Sequence, residues 1–160
     1  MIFQEPMTSL NPVLTCGDQV MEVLIRHRKC SKNEARQKVI ELFRQTGLPK
    51  PEMLIKRYPH QISGGQKHRV MIAMAMSCEP SLLIADEPTT ALDVTVQKNI
   101  LTLIKNLQQQ NSMAVLLITH DLGLVADVAD EIVVMYKGQI VEKGIAKEVL
   151  EKPQHAYTRA

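Results

Sequence analysis

The sequence predicts an α/β layer structure carrying a helical subdomain, and three features predict it. The run Ser81-Leu82-Leu83-Ile84-Ala85 is apolar after its first residue and ends on two acids, Asp86 and Glu87. Ala114-Val115-Leu116-Leu117-Ile118 is a second such run. Between them Val96, Ile100, Ile104 and Leu107 recur at helical spacing. Two strands buried on both faces and joined by a helix are the pattern of a parallel sheet covered by helices.

The elements follow in order. Met1 to Phe3 reads as the stub of a strand, and Gln4 to Pro12, with two prolines, Asn and Ser, as an ordered loop. Asp18 to Arg28 reads as a helix. Ser31 followed by Glu34 is a capping-box pattern opening a second helix. Gly47 and Pro49 stop that helix near Thr46, and Val39, Leu42 and Phe43 mark its apolar face. Pro51 to Arg57 reads as a short third helix, so residues 13–60 form a helical subdomain. Ile62-Ser63-Gly64-Gly65-Gln66 then opens a helical stretch through Ser77. Past the first buried strand come a helix over Val94 to Gln109, a strand over Met113 to Thr119 and a short helix over Leu122 to Ala129. Glu131 to Tyr136 and Gln139 to Glu142 flank Lys137-Gly138 as a hairpin, and a last helix from Ala146 to Lys152 stops at Pro153. There is no internal repeat and no low-complexity segment.

The 160 residues amount to about one domain. Hydrophobic residues at 45% and charged residues at 22% are ordinary for a globular chain. A formal net charge of +2 gives no footing for nucleic acid or an anionic membrane surface. Aromatics at 3%, with no Trp, exclude a stacking platform for single strands. Cys16, Cys30 and Cys78 are odd in number and widely spaced, which fits reduced thiols in a cytosolic protein. No apolar run approaches the roughly 18 residues that span a bilayer, and the N-terminus lacks the pattern of a signal peptide.

Four short motifs carry chemistry, each with a structural alternative. Ser63 and Gln66 fit a capping box, which makes a well-formed helix start. The adjacent glycines Gly64 and Gly65 weaken a helix but let a ligand approach the backbone, so the same start suits phosphate. Asp86 and Glu87 end a buried strand, where open α/β sheets bind ligands. An Asp there can hold Mg²⁺ and the next acid can orient a water, or the two are solvated acids. Asp93, in Ala91-Leu92-Asp93, caps the following helix on its own reading. His120, in Thr119-His120-Asp121, ends the second strand, where a lone histidine is commonly structural.

Taken together in order, these motifs resemble those of ABC-type ATPases. Ile62 to Gln66 resembles the ABC signature, with Ile where Leu is usual. Leu82 to Glu87 resembles Walker B and its following glutamate, Ala91-Leu92-Asp93 the D-loop, His120 the switch histidine and Gln4 the Q-loop. Met7-Thr8-Ser9-Leu10-Asn11-Pro12, Tyr58-Pro59-His60-Gln61 and the ending Gln154 to Ala160 resemble importers of the oligopeptide, dipeptide, nickel and glutathione group. The resemblance implies a P-loop NTPase-like ABC ATPase domain: a Q-loop segment at 1–12, the helical subdomain at 13–60, an α/β catalytic core at 61–144, and a C-terminal helix at 145–160 that starts a further extension. It implies ATP and Mg²⁺ as cofactors, with Asp86 toward the metal, Gln4 toward the metal or the attacking water, Glu87 as general base, and His120 at the reacting phosphate. Ser63, Gly64, Gly65, Gln66 and Asp93 would face nucleotide held by a homologous subunit packed head to tail. Transmembrane permease subunits, and through them a solute-binding protein, would complete the assembly on the cytoplasmic face of the membrane.

Two departures stand out. No G-x-x-x-x-G-K-[ST] occurs in these residues, so the domain is expected to be cut at its N-terminal side and inactive alone. His68 stands where the family commonly has Gln. The alternatives are a non-catalytic remnant able only to supply the signature or dock on a partner, and a non-transport ABC ATPase acting on DNA or ribosomes. The close spacing from Gln4 to Ser63 and the lack of basic clusters disfavour the last.

Overall fold

The computed structural model describes residues 1–3, 9–89 and 92–159. The chain divides into two compact units, residues 1–118 and 119–160.

In the first unit, helix α1 (Cys16–Arg28) starts earlier than the sequence suggests because the Thr15 hydroxyl accepts the Asp18 N–H at 3.1 Å. Helix α2 (Lys32–Gln45) opens with the expected capping box: Ser31 N–H donates to Glu34 at 2.8 Å, and Glu34 N–H donates back to the Ser31 hydroxyl at 3.3 Å. It ends in a left-handed turn at Gly47, φ 69°, where a side chain would meet the Arg69 guanidinium. Helix α3 (Pro51–Leu54) is shorter than expected, and a 3₁₀ turn (Pro59–Gln61) follows it. The reason lies in tertiary contact. Pro59 has no N–H to continue the helix, and the Ile55 carbonyl accepts the Gly17 N–H of α1 instead, at 3.0 Å. Gly17 permits that approach, since a Cβ there would lie 2.5 Å from the same carbonyl oxygen.

Helix α4 (Gly64–Met76) is buried on two sides. Its Val70, Met71 and Ala73 complete a helical core with Val20, Leu24, Val39 and Phe43. Its Ile72 and Met76 enter a second core with Leu83, Ala85, Ile100, Ile104 and Leu107. That second core lies against strands β1 (Leu82–Asp86) and β2 (Ala114–Ile118), which pair in parallel around helix α5 (Val94–Asn111). Ile2 adds a parallel bridge to Ala85, donating to the Ile84 carbonyl at 2.8 Å and accepting the Asp86 N–H at 3.0 Å. The strand stub, the parallel sheet and the joining helix are therefore as expected.

Burial of the strands on both faces is not. Leu83, Ala85, Val115 and Leu117 pack into the second core. Side chains alternate along a strand, so Leu82, Leu116 and Ile118 turn the other way and stay 50%, 50% and 45% exposed. The helices that pack on this sheet contribute to one face of it.

In the second unit, helix α6 (Leu122–Val125) is capped by Asp121, which accepts the Gly123 N–H at 2.9 Å. It is shorter than expected, and beyond it the Val128 N–H tightens onto the Val125 carbonyl at 3.1 Å in a three-residue turn, sharing that acceptor with the Ala129 N–H. Strands β3 (Glu131–Tyr136) and β4 (Gln139–Ile145) form the expected hairpin through Lys137 and Gly138, at φ 49° and 78°. β4 runs on to Ile145, which pairs with Glu131. Helices α7 (Ala146–Glu151) and α8 (Ala156–Arg159) follow. The Glu142 carboxylate accepts the N–H groups of Gln154 and His155 at 2.8 and 3.0 Å, bonds that hold its carboxyl below the usual range. Among the described residues no helix is long and apolar enough to cross a membrane.

Because α4 belongs to both cores, truncations in either core loosen the same unit. Leu24→Ala in the helical core and Ile72→Ala in the sheet core should each cost about 2–5 kcal/mol. Urea unfolding followed by circular dichroism checks this: both variants should move one shared transition, and separate transitions for the two would contradict the shared wall.

Candidate functional site

The N-terminus of α4 is built by a capping box. Ser63 N–H donates to Gln66 Oε1 at 3.1 Å, and Gln66 N–H donates to Ser63 Oγ at 3.3 Å. A helix start leaves four N–H groups without intrahelical partners. Here the box satisfies those of Ser63 and Gln66, and those of Gly64 and Gly65 have no partner among the described residues. The capping alternative is thus realised, and it leaves the two glycine donors open.

Gly65 is not required by the fold. Its φ is not positive, and a Cβ there would lie 3.5 Å from Val96 Cγ1, an ordinary van der Waals contact. Glycine inside a helix costs about 1 kcal/mol relative to alanine. Neither backbone conformation nor packing explains it, whereas close approach of a phosphate to the helix start would. The residues present therefore fit a nucleotide phosphate.

The same contact sets the start of α5 beside the start of α4. Asp93 caps α5, accepting the Val96 N–H at 3.0 Å, and Gln97 Nε2 ties the preceding loop by donating to the Thr89 carbonyl at 3.2 Å. The structure thus brings Asp93 and the Ser63–Gly65 segment into one neighbourhood.

Asp86 and Glu87 stand at the end of β1, as expected. Asp86 is the last strand residue and is half-buried. Glu87 is in the left-handed region at φ 43°, held there as its N–H donates to the Ile118 carbonyl at 2.9 Å. A residue with a Cβ pays about 1 kcal/mol for that conformation, and such strain concentrates at functional sites. Among the described residues no group of three or more His, Cys, Asp or Glu could hold a metal alone. The Asp86 carboxylate suits a Mg²⁺ that phosphate oxygens and water would also bind, with the Glu87 carboxylate next to it.

Gln4 and Ala91 lie outside the described residues, and His120 belongs to the second unit. Two contacts on α4 have no counterpart in the sequence reading. Arg69 Nη1 donates to the Thr46 carbonyl at 2.6 Å, tying α4 to the end of α2. His68, 2% exposed, places Nδ1 3.0 Å from the Gly64 carbonyl. The four-residue spacing from Gly64 to His68 was the available signal for the second; nothing local points to the first. Of the three thiols, Cys16 is buried and its pKa is pushed up to about 11 by burial, so it is inert at neutral pH.

Known proteins resemble this chain in sequence and in fold. The family profile described as "ABC transporter" matches residues 1–90. The chain is 55% identical over 159 residues to the dipeptide transport ATP-binding protein DppD of Bacillus subtilis, covering 99% of this chain and 48% of that protein. It is 55% identical over 160 residues to the glutathione import ATP-binding protein GsiA of Escherichia coli, covering all of this chain and 26% of that protein. It therefore spans about half or less of these relatives. Among solved structures, cbiO1 of Clostridium perfringens, part of the ABC transporter complex cbiONQ, superposes with a TM-score of 0.82 at 32% identity, over 95% of this chain and 59% of that one. A post-hydrolysis dimer of the cassette MJ0796 bound to ADP and Pi gives 0.75 at 28% identity, over 91% and 61%.

Two predictions follow from the site's backbone and burial. Replacing Glu87 by Gly should leave the chain about 1 kcal/mol more stable than replacing it by Ala, because only glycine occupies φ 43° without strain. Paired urea midpoints decide it, and equal midpoints would show that the residue is unstrained. Burial pushes the His68 imidazole below its ordinary 6.5, partly offset by its bond to Gly64. Its folded pKa lies below the unfolded one, so the unfolded state binds more protons as the pH drops. Stability should be intact above pH 6.5 and decline below it, and His68→Gln should flatten that decline in urea midpoints at pH 7.5 and about 5.5.

Proposed function

The chain belongs to the ABC transporter family, and from that premise we propose that it is part of an ATP-binding, ATP-hydrolysing subunit of an importer for peptides or related small solutes. The observation that carries the proposal is the open pair of N–H groups at Gly64 and Gly65, on a helix start where packing does not ask for glycine at position 65. The names of the relatives, a dipeptide transport and a glutathione import ATP-binding protein, support the solute class.

ATP supplies the phosphoryl group that is transferred, and Mg²⁺ offsets the charge that develops on it. The residues of this chain divide the remaining work. Asp86 would hold the metal, with Gln4 beside it, and the Glu87 carboxylate would take the proton of the attacking water. His120 would donate to the reacting phosphate. Ser63, Gly64, Gly65 and Gln66, with Asp93 next to them, would meet nucleotide held by a homologous subunit packed head to tail. The helical subdomain and Gln4 segment would dock on permease subunits at the cytoplasmic face of the membrane, and a solute-binding protein would act through those permeases.

These residues contain no G-x-x-x-x-G-K-[ST] loop to cradle phosphates. The isolated 160 residues should therefore hydrolyse ATP negligibly while still contributing the α4 start to a partner. A phosphate-release assay tests both halves. The chain alone should give background rates, and turnover that Glu87→Gln abolishes would refute the first half. Added to an ABC subunit that carries its own phosphate loop, the chain should change that subunit's rate, and Gly65→Asp should remove the effect. No change with the native chain would refute the second half.

A further inference from the structure

We infer that His68 is a positioning residue for the Gly65 N–H, acting through the peptide plane that joins Gly64 to Gly65. The inference rests on the reading of the α4 start as a phosphate-facing surface and adds a residue to it.

The geometry is specific. His68 sits one turn past Gly64 on α4 and is 2% exposed. Its Nδ1 lies 3.0 Å from the Gly64 carbonyl oxygen. A carbonyl only accepts, so Nδ1 carries the proton. Nε2 is buried and has no hydrogen-bond partner among the described residues. A proton on Nε2 would be a buried donor with nothing to meet, so the ring is held neutral in the Nδ1–H form. Burial acts in the same direction on its pKa.

The Gly64 carbonyl and the Gly65 N–H are opposite ends of one planar unit. In the helix that carbonyl already accepts the backbone N–H of His68, and the imidazole adds a second bond that fixes its tilt. Fixing one end of a rigid plane aims the other. Hydrogen bonding to the carbonyl also polarises the amide and makes its N–H a stronger donor. Glycine at both positions gives the plane freedom that a residue with a Cβ would lack, so an external restraint matters more here than elsewhere in the helix. A glutamine at position 68 can offer its amide N–H to the same carbonyl, which makes it the conservative replacement; leucine fills similar space and offers nothing.

Nitrogen-resolved NMR of the whole 160-residue chain tests this. At pH 7.5 the native chain should show His68 protonated at Nδ1 alone, a measurement that needs no variant; protonation at Nε2 overturns the inference. The Gly65 amide resonance should be kept in His68→Gln and move upfield in His68→Leu. Equal spectra in both variants also overturn it. The functional arm adds an ABC subunit that carries its own phosphate loop, loaded with MgATP. The native chain and His68→Gln should show the Gly65 amide perturbed on complex formation, and His68→Leu should need about tenfold more partner, the loss of one hydrogen bond to a charged group. Equal affinity in His68→Leu overturns the inference. If the Gly65 amide moves with His68 substitution yet never responds to the nucleotide-loaded partner in the native chain, the phosphate-facing reading fails while the tie between His68 and Gly65 stands.

Discussion

Helix α4 is packed from two sides, and the rest of the first unit depends on that. Val70, Met71 and Ala73 face the helical core while Ile72 and Met76 face the sheet core. A helix apolar around most of its circumference is stable only when both sides are covered. Its axis is therefore set by two cores at once, and so is the direction in which its N-terminus points. Arg69 adds a polar tie from the same helix to the end of α2, where Gly47 leaves room for the guanidinium. A phosphate-facing helix start gains most from such fixing, because donors that do not reorganise lose nothing when a ligand arrives.

The second constraint is the turn at Glu87. Pairing of β1 with β2 continues one residue past the strand through the Glu87 N–H and the Ile118 carbonyl, and Glu87 itself stands in the left-handed region. Glycine alone adopts that conformation without steric cost. An acid that bears the strain is explained if its carboxylate is needed at that spot and the backbone geometry is needed to aim it. Asp86, anchored by its N–H to Ile2, then precedes a residue whose direction is fixed rather than free.

Legibility in the sequence follows the range of the interaction. The capping boxes at Ser31 and Ser63 were readable because both partners lie within one turn. The parallel pairing of the two strands was readable from their unbroken apolar runs. The length of α3 was not, since it is decided by Gly17, far away in the chain, taking the carbonyl of Ile55. The exposure of Leu82, Leu116 and Ile118 was not, since a continuous apolar run does not say how many faces of a sheet are covered in these residues. In the site, Ser63, Gly64, Gly65, Asp86 and Glu87 were legible as motif and the His68 contact was signalled only by its four-residue spacing from Gly64, whereas the strain at Glu87 exists only in three dimensions.

Capping and ligand binding at Ser63 and Asp93 are rival explanations only in the sequence, and the caps in the structure are compatible with the proposed ligand role. In α4 the box consumes the outer two of the four unpartnered N–H groups, those of Ser63 and Gln66, and leaves the inner two on glycine. Without the box, all four donors would compete for water or ligand and the first turn would fray. With it, the first turn is tied at both ends and the two remaining donors belong to residues with no side chain. Asp93 does the same service for α5, whose start touches Gly65 through Val96. On the proposed reading the cap would make the glycine pair usable, so the structural role of Ser63 would be a condition of the functional one.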